Sequence, residues 1–293
     1  MRPVMDVESE AGRTRIERSG ASEHELRQHY DLGNDFYRLW LDPSMTYSCA
    51  MWKSESDTLY DAQMRKLDYH VREARAAGQA AVLDIGCGWG SMLKRLTEFW
   101  GVRRAVGLTL SEAQAQSVVP TERTQVKLES WVRHEPGEPY DALISIGAFE
   151  HFARPTLSRD ERIGAYRAFF TRCRDLLRPG GALSLQTIAF GGLQALDPFI
   201  TDRIFPGSAL PSPAEILTSI EGKFELVRLR DDRADYERTC RQWAGALKSR
   251  RIQAVALVGA DTVRDYEVFL RNSATGFRSG ALRLLRLTLN RLG

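Results

Sequence analysis

The amino-acid sequence predicts an α/β protein in which a doubly wound, mainly parallel sheet carries an N-terminal helical cap. Two observations support this. Between residues 80 and 190 short apolar runs alternate with helical patterns, as expected of strands covered on both faces by crossover helices. Within that stretch VLDIGCGWGS sets Gly86, Gly88 and Gly90 directly after a strand and before a helix, where a doubly wound sheet opens its ligand crevice.

The elements follow in order. Residues 1–22 mix charges with small polar side chains and read as a mobile N-terminal arm. In the cap, residues 23–78, Glu25 to Leu41 and Thr58 to Ala76 read as two long helices. The core, residues 79–293, starts with the strand AAVLDI, the glycine turn and the helix SMLKRLTEFW. The strand RRAVGLTL leads into a helix capped by Ser111, and TQVKLESW and YDALISIG supply the third and fourth strands. A helix around Ile163 to Leu177 is closed by RPGG, and ALSLQTIAF is the fifth strand. A proline-interrupted cap insertion falls around 191–222, followed by the strand KFELVRLRD and the helical segment YERTCRQWAGALKSRRIQAVAL. The tail ALRLLRLTLNRL fits either an antiparallel strand with Arg283, Leu285, Leu287 and Leu289 on one face, or a basic amphipathic helix suited to an anionic membrane surface. The strand is favoured, because α/β sheets often end in an antiparallel strand.

Composition narrows the function. Forty-one basic and 38 acidic residues leave a net charge of only +3, too little by itself to imply a nucleic-acid partner. No apolar run reaches the roughly 18 residues of a membrane-spanning helix, and the opening segment lacks the apolar core of a secretion signal. At most peripheral membrane contact is expected. Cys49, Cys87, Cys173 and Cys240 lie far apart with no paired spacing, so no metal site is expected, and a reducing, cytoplasmic location is the simplest reading.

The glycine turn separates two cofactor classes. A nicotinamide-binding turn would read G-x-G-x-x-G, with an acidic residue about 20 positions later for the ribose diol. Here the third glycine comes one residue early, and the second strand ends in Leu108, Thr109 and Leu110. Asp84 instead leads a D-x-G-x-G-x-G turn, the signature of class I S-adenosylmethionine methyltransferases.

The resemblance extends over nearly the whole chain after residue 23. HYDLGNDFYRLWLDPSMTYSCAMW, VLDIGCGWGS, GLTLSEAQ, SIGAFEHF, IFPGSALPS, DYERTCRQW and FRSGALRLLRLTLNR stand in the order of the cyclopropane fatty acid synthase family, which includes the mycolic acid methyltransferases. This resemblance implies a Rossmann-like seven-stranded methyltransferase sheet and an S-adenosylmethionine cofactor. It assigns cofactor contacts to Tyr47, Ser48, Asp84, Gly86, Gly88, Thr109, Gln114, Ile146 and Trp131, the last beside the adenine. Thr109 and Gln114 carry neutral hydrogen-bonding groups able to replace the missing acidic diol ligand. Trp131 otherwise reads as a core aromatic.

An alkene is a weak nucleophile, and its attack leaves a carbocation that must be shielded and deprotonated. The resemblance implies a bound bicarbonate ion for that last step, held by Cys49, Gly147, Glu150, Tyr236, the Ile188 backbone and position 186. Lipid-modifying members usually carry histidine at that position, whereas this chain has Gln186, a neutral amide that can donate to an anion but cannot relay a proton. The candidate catalytic residues are therefore Glu150 first, then His151, Tyr236, Cys49 and Gln186. His151 also reads as a helix-start histidine bonded to backbone, Tyr236 as a packing tyrosine and Cys49 as a small buried hydrophobe. Among Phe36, Tyr37, Trp40, Tyr47 and Trp52, most read as cap packing, with one or two lining an acceptor pocket.

The expected reaction is methyl or methylene transfer to a carbon–carbon double bond of an unsaturated lipid. The alternative is a small-molecule C- or N-methyltransferase of natural-product biosynthesis, which Gln186 favours. A nucleic-acid methyltransferase would show N-P-P-Y or D-P-P-Y where this chain has SIGAFEHF, so no nucleic-acid partner is expected.

Overall fold

A computed structural model describes residues 9–22, 24–26, 32–192 and 199–293. In chain order the elements are α1 (Glu10–Ser19), α2 (Asn34–Arg38), α3 (Leu59–Glu73), β1 (Ala81–Ile85), α4 (Ser91–Glu98), β2 (Arg104–Thr109) and α5 (Glu112–Ser117). Then come β3 (Thr124–Leu128), β4 (Tyr140–Ile146), α6 (Arg159–Leu176), β5 (Leu177–Phe190), α7 (Pro213–Ile220) and β6 (Phe224–Asp231). The helices α8 (Arg233–Ser249), α9 (Arg251–Val258) and α10 (Ala260–Ser279) precede β7 (Leu282–Arg291).

The seven strands form one sheet in the order β3-β2-β1-β4-β5-β7-β6, and β7 runs antiparallel to both neighbours. The strand order reverses at β1 and β4, which opens a crevice at their carboxyl ends. All five β1 residues are buried, as a central parallel strand requires. One face is filled by Phe149, Tyr166, Phe169 and Phe170, and the other by Leu67, Val71, Leu93 and Leu96. A third cluster joins α2 to α8 and α10 through Phe36, Tyr37, Trp40, Trp243 and Tyr266. At about 2–3 kcal/mol per buried large apolar side chain, this aromatic cluster is a main support of the cap.

Several expectations are corrected. Residues 10–19 of the expected mobile arm form α1: Ser9 caps it, Ile16 is buried against the sheet cluster, and Arg133 bonds both Glu10 and Glu17. Of the helix expected over Glu25 to Leu41, residues 27–31 lie outside the described residues; Gly33, at φ 99°, starts only the short α2. The helix expected over Thr58 to Ala76 is α3, opened by a capping box from Thr58 and Asp61, and its apolar face packs on the sheet. Most of the cap's helical mass is α8 to α10, from the segment between β6 and β7. Part of the expected insertion, residues 193–198, lies outside the described residues; α7 follows it, capped by Ser212.

The tail is a strand, and the membrane-surface alternative fails on its side chains. Arg286 is fully buried, Arg283 pairs with Asp231, and Arg291 donates to the Leu177 carbonyl. Among the described residues no helix is long and apolar enough to cross a membrane.

Candidate active site

Two adjoining cavities occupy the carboxyl edge of the sheet. The larger holds about 850 Å³ and opens over the glycine turn. Gly86, Gly88 and Gly90 have φ of +83°, +55° and +81°, a region that side-chain-bearing residues seldom enter. A Cβ on Gly86 would lie 2.5 Å from the Ala148 Cβ, so the absence of a side chain is what lets β1 and the end of β4 approach. The turn is tied to β2 by the Gly86 and Cys87 amides, which donate to the Leu108 carbonyl.

The residues assigned to the cofactor meet on this cavity's wall: Tyr47, Ser48, Asp84, Gly86 and Gly88 on one side, with Thr109, Gln114, Trp131 and Ile146 on the other. Thr109 donates to Gln114 Oε1 at 2.7 Å, joining the end of β2 to α5, whose N-cap is Ser111. Trp131 lies beyond β3 and packs on Phe152 and Phe169 while keeping a face on the cavity. Burial pushes the Asp84 carboxyl up to about 7. The wall also includes Ile16, Glu17 and Arg18 of α1, which the reading as a mobile arm did not anticipate.

The smaller cavity holds about 250 Å³ and shares Tyr47, Ser48, Gly147 and His151 with the larger one. Glu150, Gln186, Ile188 and Tyr236 line it, together with apolar side chains such as Phe205 and Phe269. Glu150 follows β4 in a single 3-10 turn and is 93% buried by its 7% exposure. Its Oε1 accepts the Ile188 amide at 2.7 Å, and its Oε2 has no partner among the described residues. Burial raises this carboxyl to about 7, against the opposing pull of the Ile188 amide. A group poised there can give or take a proton near neutrality.

The remaining candidates fall into different places. His151 Nδ1 lies 2.7 Å from the Ser208 hydroxyl, and burial pulls its ring down to about 4, so it is neutral. Tyr236 stacks on Phe277 with ring centres 4.4 Å apart, so it packs and lines the cavity at once. Cys49 is fully buried and lines neither cavity among the described residues; its thiol donates to the Ala50 carbonyl at 3.1 Å, and burial raises it to about 12. The Ile188 amide, assigned to an anion, is already engaged by Glu150. Of the crowded aromatics, Tyr47 reaches the cavities, while Phe36, Tyr37 and Trp40 are core side chains. Trp52 donates to the Asp235 carbonyl and Thr239 hydroxyl beneath Arg238.

Four polar residues beside the cavities were not anticipated. Lys66, fully buried on α3, donates to Ser48 Oγ at 2.7 Å and is drawn down to about 7 by burial and by the charge of Arg286. His70 lies one turn further along the same face, and Arg286 lies opposite Gln186 on β7. Glu129 lines the larger cavity and holds the buried His134. The signal for the first two was present: Gln63, Lys66 and His70 recur on the same helical stripe as Leu67 and Val71, polar residues at core positions.

Residues 17–287 match the family model described as mycolic acid cyclopropane synthetase. Cyclopropane mycolic acid synthase 1 of Mycobacterium tuberculosis is 34% identical over 287 residues, an alignment spanning 90% of this chain and 95% of that protein. The structure of cyclopropane synthase MmaA2 from Mycobacterium tuberculosis superposes with a TM-score of 0.83 at 34% identity, covering 92% of this chain and 99% of the other. The mycolic acid cyclopropane synthase CmaA1, solved with S-adenosylhomocysteine and CTAB, superposes at 0.81 with 33% identity over 92% of this chain and 98% of its own.

Proposed function

Because this chain belongs to the mycolic acid cyclopropane synthetase family of S-adenosylmethionine-dependent methyltransferases, we propose that it transfers a methyl or methylene group to a carbon–carbon double bond of an unsaturated acyl lipid. The observation carrying this reading is the smaller, mainly apolar cavity, with a buried, half-unpartnered Glu150, beside a glycine-lined cavity large enough for the cofactor. When bound, S-adenosylmethionine supplies an electrophilic methyl group. The residues present fit it: the glycine turn lining the larger cavity, the neutral Thr109 and Gln114 pair, and the Trp131 face.

The chain's own groups then act on the acceptor. Phe205 and Phe269 help exclude water from the alkene. Tyr47, Ser48, Gly147 and His151, shared by the two cavities, align it against the cofactor. Glu150 takes up the proton lost as the product forms; a bicarbonate ion, when bound, would be held by Glu150, Gly147, Tyr236 and Gln186 and would supply a second base. The thiol of Cys49 and the amide of Ile188, both committed elsewhere, are not used for that ion. Four free, buried cysteines suit a reducing, cytoplasmic setting.

Gln186, a neutral amide, supports a second reading, a C- or N-methyltransferase of a small natural-product precursor. Incubation with methyl-labelled cofactor and fractionated host extract separates the two. Gain of one methylene in unsaturated lipid is expected; label confined to a polar metabolite selects the second reading, and label in neither overturns both.

A further inference from the structure

Gln186 is held from two sides. Its Oε1 accepts from Arg286 Nε at 2.9 Å, and the same oxygen lies 3.4 Å from His70 Nε2. Arg286 is the direct cross-strand partner of Gln186 in the antiparallel β5–β7 pair, so both side chains leave the sheet on one face. Its other donors are committed too: Nη1 pairs with Asp232, and Nη2 reaches the Ala50 carbonyl at 3.1 Å. His70 comes from α3, with its Nδ1 2.8 Å from the hydroxyl of Ser184, two residues before Gln186 on the same face of β5. All three side chains, Gln186, Arg286 and His70, are buried.

The donors decide the chemistry. A guanidinium can only donate, so the atom facing Arg286 Nε must be the amide oxygen. His70 then completes the pattern only as the Nε2–H tautomer, with Nδ1 accepting from Ser184. Burial, followed by the charges of Arg286 and Lys66, drives the His70 ring well below its ordinary value and keeps it neutral. With the oxygen committed, the amide edge left for the cavity wall is the NH2, a donor in the cavity to which Glu150, with its unpartnered Oε2, contributes an acceptor.

We infer that His70 and Arg286 are positioning residues that lock the Gln186 amide with its N–H groups toward the acceptor cavity, so that the centre presents a fixed donor and a fixed acceptor together. Such a pair selects a group that accepts from Gln186 and donates to Glu150, and it leaves no proton relay at position 186. The kinetic consequence rests on the proposed methyl transfer; the geometry does not.

The test therefore has two independent arms on the whole chain. In nitrogen-15 NMR, His70 is expected as the Nε2–H tautomer with no titration through the neutral range. The Gln186 NH2 pair, assigned by its loss in Gln186→Leu, should be resolved and slow to exchange, and should move in His70→Leu. An Nδ1–H tautomer, a ring that titrates near neutrality, or an amide pair indifferent to His70→Leu overturns the inference. In the kinetic arm, with an oleoyl phospholipid dispersion as acceptor, His70→Leu should lower kcat about tenfold with the cofactor KM unchanged, and His70→Gln, which restores an N–H donor, should recover most of it. Full turnover in His70→Leu counts against the positioning role. A wild-type protein inert on that lipid refutes the proposed acceptor and leaves the NMR arm to decide the inference. Arg286→Lys, which keeps the charge but loses the fixed Nε, should loosen the same amide pair without altering S-adenosylhomocysteine affinity.

Discussion

The two cavities share a wall but are built in opposite ways. The larger cavity, proposed for the cofactor, meets its ligand mainly with glycines at positive φ, the neutral Thr109–Gln114 pair and an indole face, while Asp84 and Lys66 lie buried at its base. The acceptor cavity takes Glu150 from β4's end, Gln186 from β5 and Tyr236 from α8, and ionisable groups in and behind its wall are shifted by burial. Shape is therefore the more exacting feature of the first site, whose glycines leave no room for a side chain at Gly86, and protonation that of the second, where Glu150 faces the cavity.

The comparison can be broken most directly at Glu150. Replacing it with glutamine keeps an oxygen for the Ile188 amide but removes the base; kcat should fall about 10²- to 10⁴-fold. S-adenosylhomocysteine affinity, measured by calorimetry, should hold. If affinity drops together with the rate, the two halves are not separable.

A second prediction concerns acid and base. The Glu150 carboxyl rises from 4.5 to about 7 on folding, so the unfolded chain releases its proton before the native state does. Its contribution to stability must then decline as pH rises from about 4.5 to about 7 and become a constant penalty above that, of order 3 kcal/mol for one such group. Chemical denaturation of wild type and Glu150→Gln across this window should converge at low pH and diverge toward neutrality. Parallel curves would contradict the charge-governed account.

The shape-governed half is probed by Gly86→Ala. The added methyl meets Ala148 at 2.5 Å and disfavours a φ of +83°, so cofactor affinity should fall at least about tenfold even if the fold survives. Unchanged affinity would mean that the turn tolerates a wider crevice than its geometry indicates. The smallest effect belongs to Arg133→Ala, which frees Glu10 and Glu17 of α1 from an exposed pair of contacts. The expected loss of stability is under about 1 kcal/mol, with a modest rise in cofactor dissociation rate.

The same division explains what could be read in advance. Asp84 to Gly90 and the Ser111 cap are local: the chemistry lies within a few neighbouring residues, so order and spacing announce it. The role of Arg286 is not local. In the tail it is one of several arginines between leucines, and nothing nearby distinguishes it from Arg283, which stays exposed and paired with Asp231. Only the β5–β7 register, joining residues 100 apart, puts it against Gln186. His70 and Lys66 were legible in principle as polar breaks in an apolar stripe, although their partners Ser184 and Ser48 were not. Cys49 was misleading in the other direction: a motif suggested the reacting centre, whereas the thiol faces the Ala50 carbonyl.

The strand that carries Arg286 is inserted between β5 and β6, not added at the rim. The inner edge of β5 is therefore closed only by residues 282–291, through pairings such as Gln186 with Arg286 that join residues 100 apart. The glycine turn is held by neighbouring strands, but the amide of Gln186 has no guanidinium to hold it until this long-range pairing forms. Order at Gln186 thus depends on the completed sheet, whereas the glycine turn depends only on strands beside it.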